Sequence, residues 1–123
     1  MWQVLFRKKA SGVDLRFKAW IEHKGRTVIG EGISELLSRV EKTGSIARAA
    51  SEMGMAYREA WGRLRAAEAA LGSPLLERHA GGRGGGGAKL TLPAQQLLAA
   101  FAAIETGLAA CAAELTKQHL SEL

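Results

Sequence analysis

The chain has 123 residues, 47% of them hydrophobic and 24% charged, and a net charge of +5, which suits one compact soluble domain with at most an appended helix. A single cysteine, Cys111, excludes an internal disulfide, and one aspartate with three scattered histidines offers no metal-ligand spacing. No nucleophile elbow is present either, so the inventory speaks against an enzyme, a metal site or a cofactor.

Residues 1–14 mix apolar groups with the basic run Arg7-Lys8-Lys9 and read as a tail or edge element. From Leu15 to Glu22 the pattern alternates. Leu15, Phe17, Ala19 and Ile21 share one face and Arg16, Lys18, Trp20 and Glu22 the other, which predicts a half-buried strand. A Gly-containing turn at His23–Arg26 and the run Thr27-Val28-Ile29 complete a hairpin. A helix follows with Ile33, Leu36, Leu37 and Val40 at helical spacing, and Gly44 stops it.

Ser45 is a good N-cap for a short helix whose buried stripe is Ile46, Ala49, Ala50 and Met53, ended by Gly54. After Met55-Ala56 a second helix runs to about Leu71, with Ala60, Leu64, Ala67 and Leu71 on one narrow face, and Gly72-Ser73-Pro74 closes it. Two short strands, 75–79 and 88–92, then flank the glycine run 81–87. That run matches G-x-G-x-x-G, yet it leads into a strand where a dinucleotide site needs a helix. A hairpin tip is the better reading, with a flexible linker as its alternative. Pro93 opens a final long helix in which Leu97, Phe101, Ile104, Leu108, Cys111 and Leu115 follow a heptad seam, predicting a homodimer. A helix folded back on its own domain is the rival reading.

Two helices joined by a tight Gly-containing turn have the form of a helix-turn-helix, whose second helix enters the DNA major groove. On that helix Arg58, Gly62 and Arg65 lie opposite the core stripe, with Tyr57 and Trp61 flanking them. An ordinary helical hairpin with a solvated arginine face is the plainer alternative. Charge has the matching distribution: residues 1–30 carry +5 and 44–92 carry +3, whereas 93–123 carry −2. A polyanion would meet the front of the chain.

The run GSIARAASEMGMAYREAW (44–61) followed by LLERHAGGRGGGGAKLT (75–91) resembles the amino-terminal DNA-binding domain of the ModE-type molybdate-dependent regulators, and the helix-turn-helix part resembles the wider LysR-type regulators. The resemblance implies a mainly α fold with small β elements: a winged helix-turn-helix at 15–92, preceded by a β-hairpin and followed by a dimerisation helix at 93–123. It implies a double-stranded, near-palindromic DNA operator as partner, with Ser45, Arg48, Tyr57, Arg58, Trp61 and Arg65 on the helix-turn-helix surface and Arg78, Arg83 and Lys89 on the wing. Full-length members continue into a molybdate-binding domain; the sequence stops at Leu123, so no molybdate binding is expected of it. A partner that heterodimerises with a full-length regulator is the alternative function. No signal-peptide layout and no uninterrupted apolar run of membrane-spanning length is present, so a cytoplasmic protein without a membrane partner is expected.

Overall fold

A computed structural model describes residues 5–8, 12–82 and 85–123. Chain order is β1 (Leu5–Lys8), β2 (Val13–Arg16), β3 (Ile21–His23), β4 (Arg26–Ile29), α1 (Glu31–Thr43), α2 (Ile46–Glu52), α3 (Tyr57–Leu71), β5 (Leu76–Gly82), β6 (Gly85–Leu90) and α4 (Leu92–Leu120). The strands form three separate antiparallel pairs: β1 with β2, β3 with β4, and β5 with β6. This is a winged helix-turn-helix with a long terminal helix, the fold class read from the sequence.

One predicted strand is really two. Residues 15–22 keep the expected alternation, but β2 pairs with β1 while β3 pairs with β4, and residues 17–20 belong to neither sheet. The amino-terminal stretch thus contributes a paired strand, β1. Between β3 and β4, Lys24 and Gly25 have φ of 52° and 79°, the left-handed pair that a two-residue hairpin turn of matching twist requires.

The three helices α1, α2 and α3 close around one core with the inner faces of β4 and the β5–β6 hairpin. Leu36, Leu37, Leu64, Leu75, Val40 and Ile29 are fully buried there. Each such side chain withdrawn from water contributes about 1.5–3 kcal/mol. Alanine does the rest: Ala49, Ala50, Ala60 and Ala67 are buried, and their small size lets the helix axes of α2 and α3 approach closely. Gly44 and Gly72 end α1 and α3 in the left-handed conformation, each returning its N–H to the preceding turn.

The final helix begins one residue earlier than predicted, at Leu92. Thr91 caps it by accepting from the Ala94 N–H at 3.2 Å, so the strand expected to reach residue 92 ends at Leu90. Along α4 the buried positions are Ala94, Phe101, Ala112 and Thr116, and the helix packs against α1, β6, β1 and β2. Phe101 is 1% exposed. It is a core residue of its own domain, which corrects its placement in the dimer seam. Four of the other seam residues are solvent-facing, Ile104, Leu108 and Leu115 at 45%, 41% and 45% exposure and Cys111 also exposed, whereas Leu97 is half-buried against the core. The rival expectation of a folded-back helix therefore describes one face of α4, and an exposed apolar stripe lies on the next. By length and composition α4 could also span a membrane, with a window of mean hydropathy 1.5, because so many of its residues are alanine.

Candidate nucleic-acid interface

The α2–turn–α3 unit is fixed by local bonds. Ser45 Oγ accepts from the Arg48 N–H at 3.1 Å, capping α2 as its sequence predicted. Thr43 Oγ1 accepts from the Ser45 N–H and so ties α1 to that cap. The turn follows Met53, and Gly54 takes φ 71° where a Cβ would be strained. Arg39 spans α1 and α2, donating to Glu35 at 2.8 Å and to Glu52 at 2.9 Å. Those two carboxylates raise its pKa above the ordinary arginine value.

From this brace α3 presents its outer surface. Tyr57, Arg58, Gly62 and Arg65 are exposed and Trp61 is half-buried against the core. The arginines of α3 divide into two kinds. Arg63 is neutralised by Glu59 at 2.7 Å, one turn away, whereas Arg58 and Arg65 form no ion pair among the described residues. Arg48 on α2 and Arg78 on β5 are likewise unpaired.

The wing is anchored at both ends of its base. The Ala88 N–H donates to the Gly44 carbonyl at 2.9 Å and the Thr91 N–H to the Leu75 carbonyl at 3.0 Å. Glu68 adds a bond the sequence did not reveal: its carboxylate accepts from the Leu75 N–H at 2.9 Å and from Leu76 at 3.4 Å, capping the entry to β5. Strand pairing runs past the predicted ends into the glycines, with Gly82 opposite Gly85. This part of the run is ladder and not linker.

Pleating separates the wing's two described cations. Arg78 pairs with buried Ala88 and turns toward α3, where its Nη2 donates to Tyr57 Oη at 2.9 Å and its guanidinium lies 4.3 Å from the Trp61 ring centroid. Lys89 pairs with Glu77, its Nζ 3.7 Å from that carboxylate, on the other face. Arg78 is thus joined to the α3 surface while Lys89 is set apart and partly neutralised. Arg83 lies outside the described residues.

Residues 34–95 match the family described as "Bacterial regulatory helix-turn-helix protein, lysR family". The chain belongs to that lysR-type helix-turn-helix family. Curated relatives of this lysR-type chain are the molybdenum-pterin-binding protein MopB of Rhodobacter capsulatus, 39% identical over 72% of this chain and 33% of that protein, and the molybdenum transport protein ModE of Herbaspirillum seropedicae, 46% identical over 54% of this chain and 24% of that one. The transcriptional regulator ModE of Haemophilus influenzae is 40% identical over 57% of this chain and 28% of its own length. The chain spans a quarter to a third of the length of these relatives. Its ModE-like and LysR-like character, expected from residues 44–61 and 75–91, is shown by these matches.

Proposed function

We propose that this chain is a sequence-specific DNA-binding transcriptional regulator that works as a homodimer. The observation that carries the reading is the surface of unpaired arginines spread over α2, α3 and β5, beside an Arg63 that is locally neutralised. A cation without a protein counter-ion is available for phosphate or a base edge, and the second helix of a helix-turn-helix is what the major groove admits. Within that surface Arg58 is the base reader by position, exposed and opposite the core stripe. Ser45 serves first as the α2 cap, and Arg48, Arg65, Arg78, Arg83 and Lys89 contact the backbone. Units 15–92 and 93–123 then divide DNA binding from assembly, the second through Leu97, Ile104, Leu108, Cys111 and Leu115.

The link to molybdenum rests on the names of the relatives. Binding-site selection from random duplexes, followed by titration of the selected site at fixed ionic strength with molybdate and with sulfate as the control anion, tests both parts. Failure to enrich any sequence would end the sequence-specific reading. A molybdate response beyond that of sulfate would place an oxyanion site in the chain. The alternative, a partner subunit that pairs with a full-length regulator, draws on the same exposed α4 stripe; it wins if only mixed dimers bind the operator.

A further inference from the structure

Trp61 does more than fill space between α3 and the core. The Arg78 guanidinium lies 4.3 Å from its ring centroid and that of Arg65 lies 5.3 Å away. Tyr57, Trp61 and Arg65 recur at four-residue spacing, so they form one ridge along α3. Arg78 reaches the ridge from β5 and is held a second time by the Tyr57 hydroxyl at 2.9 Å. Among the described residues neither guanidinium has a carboxylate partner. Two like charges drawn to one indole repel each other, and among the described residues no carboxylate pairs with either to offset that cost. An anion supplied from outside completes the arrangement.

We propose that Trp61 is the positioning residue of the DNA-binding surface: a single aromatic platform that fixes Arg65 of the helix and Arg78 of the wing as one unit, so that both meet the duplex backbone together. The proposal rests on the DNA-binding reading above. Its physical basis is preorganisation. A free arginine loses rotamer freedom when it grips a phosphate, whereas a guanidinium already seated on a ring has lost much of it beforehand. Trp61 accordingly supports and does not read, and Arg65 acts on the backbone from the ring it shares with Arg78.

The test uses the full chain and a labelled 30-base-pair duplex of random sequence, with affinity measured by anisotropy across a salt series. Trp61→Leu keeps apolar bulk without a π face. It should weaken binding about tenfold at low salt. It should also flatten the slope of log affinity against log salt by about one unit although it removes no charge. Trp61→Phe, which retains a ring face, should recover most of that slope, and Arg78→Ala should cost less in the Trp61→Leu background than in the wild-type chain. Tyr57→Phe removes one hydroxyl from an exposed side chain and should weaken binding about threefold; it decides the matter if circular dichroism shows Trp61→Leu unfolded. A folded Trp61→Leu with the wild-type slope overturns the proposal, as do losses that simply add in the double variant, or, where Trp61→Leu is unfolded, an unchanged Tyr57→Phe. A wild-type chain that binds no duplex at any salt overturns the DNA-binding reading and this proposal with it.

Discussion

The backbone N–H of Ala88 donates to the carbonyl of Gly44 across 2.9 Å, so the wing hangs from the turn between α1 and α2. Gly44 is also the left-handed cap of α1, at φ 71°, and it immediately precedes the Ser45 cap of α2. One peptide therefore ends a helix, begins the next and holds the wing. Opposite it, a Cβ on Gly87 would strike the His79 ring and come within 3.2 Å of the Gly44 carbonyl.

Two substitutions test this joint. Gly44→Ala forces a side chain into the left-handed region and should destabilise the fold by about 1–2 kcal/mol, read as a lower urea midpoint with an unchanged slope. Gly87→Val should lower the midpoint as well, by displacing His79 and pressing on the Gly44 carbonyl. Gly62→Ala, where nothing lies within 4 Å of the added atom and φ is not positive, should be neutral or slightly stabilising because alanine is the better helix former. An unaffected midpoint in Gly44→Ala would show that the turn does not need its left-handed glycine.

Much of this was legible in the sequence because punctuation is local. Gly44, Ser45, Gly54 and Gly72 mark helix ends by backbone rules that act within a turn, and the structure uses each of them so. What stayed hidden depends on distant partners. The alternation from Leu15 to Glu22 shows which side is buried, but not that the hydrogen-bonding partner changes from β1 to β4 midway. A heptad count on α4 finds an apolar stripe, but an Ala-rich helix has two adjacent apolar faces, and only tertiary packing assigns Phe101 to the inner one. Glu68 looks like any polar helix residue until the chain turns back and presents two strand N–H groups to it. The Trp61–Arg78 contact likewise joins two elements whose spacing carries no signal.

Neighbouring arginines on α3 should behave differently. Arg58→Ala removes an exposed, unpaired guanidinium and should cost about 1–3 kcal/mol on the selected operator while relaxing base preference there. Arg63→Ala removes a guanidinium already paired with Glu59 and should change operator affinity little. Binding titrations on the operator and on a scrambled duplex separate them. Equal losses on both duplexes for Arg58→Ala would move it from reading bases to holding phosphate.

Glu105 supplies a pH signature. It is half-buried on α4 and lines a cleft with Ser38, Arg39, Lys42 and Phe101, and burial pushes its carboxyl pKa above the ordinary value. The folded state then holds this proton more tightly than the unfolded chain does. Stability from this group is fully present below the unfolded pKa and is lost as pH rises through the folded one. Glu105→Gln should therefore raise the melting temperature at pH 7, with the gain shrinking toward acid pH as the wild-type carboxyl becomes neutral too. Melting curves from pH 4 to 8 check the trend, and a gain independent of pH would contradict it.

The two faces of α4 give the last prediction, because they should fail in different ways. Phe101 is wholly buried against its own domain, so Phe101→Ala should cost about 3–5 kcal/mol and lower the melting temperature whatever the assembly state. Ile104 and Leu108 are 45% and 41% exposed. A continuous apolar stripe of this kind is covered most simply by a second copy of itself, as the heptad spacing allows. Light scattering on the wild-type chain should then report twice its 13.1 kDa mass. Ile104→Glu with Leu108→Glu should give a folded monomer, since charges are tolerated where water already reaches but repel across a two-fold seam. Operator affinity should fall steeply in that variant, because a monomer engages one half-site and forfeits the second as an effectively intramolecular contact. A wild-type chain that is monomeric at tens of micromolar would overturn the homodimer, and a double-Glu variant that stays dimeric would place the interface elsewhere on the molecule.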